Sequence, residues 1–190
     1  MRYYTFFLFL ILLANACQSE KNETQQAENE VILMFFDLKG YFNSEVKRLN
    51  QEKLTVSKKV AINGENEEKT LNTLDFAKEL DVFIKSDINR PDWTDKYEID
   101  STLQDGKLTR LQYQALNEKL RTREIFIEFA NNQVQKIHIL NGGNSIVAGS
   151  QQELTYLPKE GYTIKSRQYT MLSKDKELSI EVRLGTNPTK

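Results

Sequence analysis

Residues 178–184, LSIEVRL, alternate without interruption, with Leu178, Ile180, Val182 and Leu184 on one side and Ser179, Glu181 and Arg183 on the other. Successive side chains of an extended chain point to opposite faces, so the stretch reads as a strand with one dry face and one wet face. Strands of this kind belong to antiparallel sheets packed on one side only. The same period runs back toward the N-terminus through Tyr162–Leu172 and Leu154–Leu157. Glu124–Ala130 and Val134–Leu140 form a hairpin across Asn131, Asn132 and Gln133, with Ile125, Ile127 and Phe129 sharing a face. From Tyr97 onward, Gln104, Asp105 and Gly106 suit a three-residue loop that sets Tyr97 against Tyr113 and Ile99 against Leu111. LTVSKKVAI at 54–62 is β-branched and short, and the following NGEN gives a turn, which makes one more strand.

Ahead of the strands the period is 3.6. In 31–53, Phe35, Leu38, Phe42, Val46 and Leu49 recur at spacings of three and four, the mark of an amphipathic helix. Asp37 is either an internal N-cap that starts this helix late or an exposed helical residue, and Gly40 leaves the start open. A second helix is expected over 73–87, with Asn72 and Asp75 as its capping arrangement and Phe76, Ala77, Leu80, Phe83, Ile84 and Ile88 as its apolar stripe. Helices first and strands afterwards predict an α+β domain over residues 31–186. Two amphipathic helices would cover one face of an antiparallel sheet of about six to eight strands, and 187–190 would be a disordered C-terminus.

The chain has 190 residues, 28% of them charged, and a net charge of −1 with no basic block. Nucleic-acid affinity rests on phosphate neutralisation, so this balance argues against it. One cysteine excludes an internal disulfide framework and any Cys-rich zinc or iron site. A charged Arg2 followed by the apolar run Phe6–Leu13 has the form of a secretory signal, far short of the roughly 20 residues a bilayer span needs.

LANACQSE, residues 13–20, then brings the lone Cys17 just after small residues Ala14 and Ala16. The stretch resembles the lipobox of bacterial lipoproteins. That resemblance covers residues 1 to about 20 and is silent on the fold. It implies removal of residues 1–16, lipidation of Cys17 and anchoring in a cell envelope. By analogy with lipoprotein sorting, Gln18 points to the outer membrane sooner than the inner one. Ala14 and Ala16 also fit an ordinary AxA-type signal cleavage site, which would leave Cys17 a free thiol. Residues 18–30, QSEKNETQQAENE, hold too little apolar surface to offset the entropy of ordering, so 17–30 reads as a lipidated cysteine and a flexible linker.

Candidate chemistry is sparse. His138, the only histidine, shares a strand face with Lys136 and Leu140, as a solvent-facing residue does, and no GxSxG elbow accompanies it. Asp92, Asp95, Glu98 and Asp100 around Trp93 lack the spacing of a calcium loop and read as a solvated loop around an aromatic plug. Glu124 and Glu128 lie on one strand face, which is commonly just a charged surface. Gly142 and Gly143 have no following lysine, so a turn between strands is expected there instead of a phosphate loop. Tyr97, Tyr113, Tyr156, Tyr162 and Tyr169 fall in the strand half, suited to core packing and equally to a binding surface. These readings point to a non-catalytic binding or scaffolding module with no cofactor and no catalytic or metal-binding residue, engaging an envelope protein or a glycan. The alternative is a carrier that holds a lipid or another apolar ligand between a curved sheet and its helices.

Overall fold

The alternation read from LSIEVRL extends over one antiparallel sheet of nine strands in the order β2-β1-β9-β8-β7-β6-β5-β4-β3. The computed structural model describes residues 35–185 apart from 53, 146 and 172. Cys17, the signal segment 1–16, the linker 17–30 and the C-terminal 187–190 lie outside the described residues. The strands are β1 (Val56–Ile62), β2 (Glu65–Leu71), β3 (Tyr97–Gln104), β4 (Lys107–Ala115), β5 (Thr122–Ala130), β6 (Gln133–Asn144), β7 (Ala148–Leu157), β8 (Gly161–Thr170) and β9 (Ser173–Leu184). Among the described residues three α-helical pieces precede β3, α1 (Leu38–Glu52), α2 (Phe76–Glu79) and α3 (Asp81–Ile84), with a 3-10 turn at Pro91–Trp93. The fold is therefore α+β, with a few helices packed on one face of a many-stranded antiparallel sheet.

Nine strands exceed the expected six to eight, and β2 is the one the pattern hides. Its sequence ENEEKTL has no apolar alternation because it is an edge strand wetted on both faces. Its partner β1 is fixed instead by Asn63 and Gly64, both at positive φ, a two-residue turn matched to the twist of a hairpin.

The first helix begins late. Asp37 Oδ1 accepts from the Gly40 amide at 2.7 Å, and this N-cap settles the start that the periodicity left open. A Cβ on Gly40 would strike that same carboxylate, which explains the glycine. The second helix differs more. Its cap is Asp75, whose side chain accepts from the Lys78 amide, while Asn72 Oδ1 is occupied by the Thr55 hydroxyl at 3.2 Å. It breaks at Leu80, where φ −90° and ψ −1° end α2 and begin α3. Beyond Asp81 the chain holds Val82, Ile84, Ser86 and Asp87, all weak helix formers, and the amides of Ser86 and Asp87 bond back only three residues. Burial of Phe76, Leu80, Phe83 and Ile88 sets the path, not helix propensity.

The β3–β4 hairpin also departs from the expected register. The turn is two residues, Asp105 and Gly106, both at positive φ, with Gln104 opposite Lys107. A register shift after Leu103 and Leu108 leaves Thr109 as an extra residue and sets Ile99 against Tyr113 and Ser101 against Leu111. The local preference of Asp-Gly and the long-range demand for apolar pairing are both met, at the cost of one bulge. At β5–β6 the turn is Asn131-Asn132, with Gln133 already paired to Ala130. Gly142 and Gly143 lie within β6, not in a turn, and β7 starts at Ala148, earlier than its apolar residues suggest.

The core lies between the helices and one sheet face. Ile125, Ile127, Ile137, Ile139, Leu154, Tyr156, Tyr162, Ile164 and Val182 meet Phe35, Leu38, Phe42, Leu49, Phe76, Leu80 and Phe83. Rings interlock there: Phe42 lies 4.8 Å from Phe83 and 5.1 Å from Tyr156, centroid to centroid.

Candidate functional site

Cross-strand partners share a face. The registers therefore place Glu124, Phe126 and Glu128 of β5 together with Lys136, His138 and Leu140 of β6, Gln151, Glu153 and Thr155 of β7, and Thr163, Lys165 and Arg167 of β8. This is the face opposite the helices, and among the described residues it is left bare. Two clefts open on it. One, of about 470 Å³, runs from Ala61 and Asn63 past Ser179, Lys165 and Glu153 to Leu140 and Gln151. The other, of about 430 Å³, continues from Leu140 and Gln151 to Asn144, Tyr169, Arg123 and Gln114. Sharing Leu140 and Gln151, they form one trough across seven strands, from β1 to β4, along the end of the sheet that carries the β6–β7 connection.

The two halves of the trough differ in charge. In the first, Lys165 lies 3.6 Å from Glu153, and Arg167 lies 2.8 Å from Asp175 and 3.7 Å from Glu177. Those charges are matched. In the second half, Arg123 occupies an irregularity in the β5–β6 ladder, between Thr122 opposite Asn141 and Glu124 opposite Leu140. Bulges commonly re-aim a side chain. Arg123 Nε stands 3.1 Å from where a Cβ on Gly142 would be, so its guanidinium lies against a glycine backbone. Its hydrogen bond is a long one, 3.4 Å to the Asn117 carbonyl, and among the described residues no carboxylate pairs with it. The Tyr169 ring lies over Gly149, which has no Cβ to obstruct it, and its hydroxyl donates to Asn144 Oδ1 at 2.8 Å. Asn141 also lines this cleft; its Nδ2 donates to Ser86 Oγ at 2.9 Å, while its buried Oδ1 has no hydrogen-bond partner among the described residues.

On the helix side, polar groups are paired and buried. Tyr156 donates to Glu45 of α1, which also holds Arg48 at 2.7 Å. Tyr162 donates to Glu79 of α2 at 2.7 Å, and Glu79 pairs with Lys58. Burial pushes both phenols far above their ordinary range, and the adjoining glutamates push them further. The Tyr97 phenol, donating to the Thr122 carbonyl at 2.8 Å, is pushed up to about 12 by burial. These satisfied pairs fix helices on sheet.

The residues singled out from the sequence are scattered. His138 faces away from the helices, as its strand neighbours predict, with Nδ1 3.1 Å from Thr155 Oγ1. Trp93 packs on Tyr97 with Arg90 4.4 Å over its ring, while Asp95 pairs with Lys96 and Asp100 with Arg110. Among the described residues no group of three or more His, Cys, Asp or Glu converges as metal ligands would. Glu124 takes a hydrogen bond from Gln112 at 3.2 Å, and Glu128 lies opposite Arg110 and Lys136. Tyr97, Tyr113, Tyr156 and Tyr162 are core residues, whereas Tyr169 is 41% exposed. Arg123, Gln151 and Asn144 carry no motif. The one available signal was the run of glycines at 142, 143 and 149, which as strand residues mark close approach of other groups.

No protein-family model, curated protein or solved structure matches this chain.

Proposed function

We propose that this chain is a lipid-anchored protein of the bacterial cell envelope, outer membrane in preference to inner, whose folded domain is a non-catalytic binding module for an envelope protein or glycan. The observation that carries the reading is a tether joined to a one-sided domain. Cys17 stands in a lipobox-like stretch, thirteen residues follow of which all but Ala27 are polar, and the domain behind them uses one sheet face for its core and, among the described residues, leaves the other bare, with a trough across it. Thirteen linker residues extend to about 45 Å at most, enough to hold the domain clear of lipid headgroups.

The other reading, a carrier for an apolar ligand between sheet and helices, draws less support. That layer is filled by Phe42, Phe83 and Tyr156, each without measurable exposure. The bare-face trough is mixed in character and suits a polar partner better.

Cys17→Ser tests the anchor. The wild-type chain is expected to incorporate labelled palmitate and to sediment with membranes; the variant should do neither and should appear in the soluble fraction. A variant that stays membrane-bound overturns the anchor. For the module, cross-linking in intact cells from a photoreactive residue at 151 should trap an envelope component, whereas the same probe at exposed Glu67 on the β2 edge should not.

A further inference from the structure

Resting on that reading of the bare face, we infer that the trough binds an oligosaccharide bearing a carboxylate, seated with its acidic sugar at Arg123 and a sugar ring on Tyr169. The inference begins with what lines the second cleft: Gln114, Asn144 and Gln151 offer amides. These groups both donate and accept, as the neighbouring hydroxyls of a sugar do. An extended peptide, by contrast, would be read chiefly through its backbone, which needs a free strand edge. The trough lies across the seven strands from β1 to β4, each of which already has a paired neighbour on both sides.

Two flat groups are laid open by glycines. The Tyr169 ring over Gly149 is an exposed apolar plate with a polar rim, the form that meets the C–H face of a pyranose while its edge meets water. Arg123, held against Gly142, is a half-buried guanidinium with no ion pair among the described residues, whereas Arg110, Arg167 and Arg183 on the same face each have one. A guanidinium offers a planar fork that fits a carboxylate. Glu118 is the one carboxylate lining this cleft, and it sets the limit on how acidic a ligand the site accepts. Toward β1 the charges are matched among themselves, so the remaining sugars of the chain need carry none. Six strand spacings make the trough roughly 29 Å long, room for several sugar units.

The test uses the full chain in detergent micelles on an array of carboxylated and neutral oligosaccharides, followed by calorimetry with each glycan that binds and with its carboxyl-reduced counterpart. Binding should favour carboxylated glycans. Tyr169→Ala should weaken both forms by about tenfold or more, and Arg123→Gln should weaken the carboxylated form by about tenfold while sparing the reduced one, as loss of one charge-assisted contact predicts. Both side chains lie at the surface, and an unchanged urea midpoint confirms that each variant is folded. The inference is overturned if no glycan binds, or if binding is indifferent to both substitutions. Should the probe at 151 still trap an envelope protein while the array stays empty, the glycan falls and the bare face stands as a binding surface; an untrapped probe and an empty array remove both.

Discussion

The two faces of this sheet share one backbone and one set of strands, yet they impose opposite demands. On the helix side, side chains are chosen by volume: Ile127, Ile137, Ile139 and Leu154 lie in adjoining positions of β5, β6 and β7, all without measurable exposure. On the bare side, the corresponding positions hold Phe126, His138, Thr155 and Thr163, each half-buried and together of three different chemistries. Packing constrains the first face at every position. On the second, only contact with something outside the domain would constrain it, and the unpaired guanidinium and opened tyrosine ring are where such constraint shows.

This contrast is broken most directly by stability. Phe42→Ala, which empties a fully buried site between α1 and the sheet, should cost about 3–5 kcal/mol, whereas Gln151→Ala in the trough should move stability by less than about 0.5 kcal/mol. Urea unfolding of both variants decides it, and similar losses would mean that the bare face is structural after all. Glu45→Gln sharpens the helix side. It strips the charge that meets Arg48 and leaves a single amide oxygen to serve both Arg48 and the Tyr156 hydroxyl, with an expected loss of about 1–3 kcal/mol.

Two glycines contrast a site crowded by backbone with one crowded by a side chain of the trough. Gly161 sits at φ +136°, and a Cβ there would strike the Val182 carbonyl, so Gly161→Ala should destabilise by on the order of 1–3 kcal/mol. Gly149→Ala meets only the Tyr169 ring, which can swing aside; its stability should shift by less than about 1 kcal/mol while any ligand of the trough is lost. The last effect is alkaline. Because Tyr156 and Tyr162 are raised above the unfolded phenol, their contribution is whole below about pH 10 and is lost as pH rises beyond it. Urea midpoints of the wild type should fall between about pH 9 and 11.5, and the Tyr156→Phe, Tyr162→Phe double variant should start lower but fall less.

The helix-covered face was legible because burial writes a period into the chain: LSIEVRL, the isoleucines of β5 and β6, and the stripe of α1 all repeat at the spacing their element needs. Where burial is absent the record thins. The edge strand β2 reads as loop because water touches both its faces, and the start of β7, AGSQQ, reads as connection because its side chains are small or polar. The break at Leu80 was invisible for another reason, since a stripe at positions 76, 80 and 83 is the same in one helix or in two pieces. The trough was least legible. Gln114, Arg123, Asn144, Gln151 and Tyr169 come from five strands and meet only through the register of four ladders, which no local pattern contains. Only the glycines hinted at it.

The bulge at Thr109 has a counterpart. In β5–β6, as in β3–β4, a two-residue turn is followed by two ordinary pairs and then one supernumerary residue, Gln135 in the one hairpin and Thr109 in the other. Each is opposed by nothing across the ladder, and excising either leaves every remaining partner and every inward or outward orientation as it was. Length is therefore negotiable at these two points and fixed in the central ladders of β6, β7 and β8, where the loss of one residue would turn the rest of its strand inside out. Of the four irregularities in the ladders these two lie away from the trough, while those at Arg123 and between Gln168 and Thr170 border it, where the supernumerary residue serves to aim a side chain.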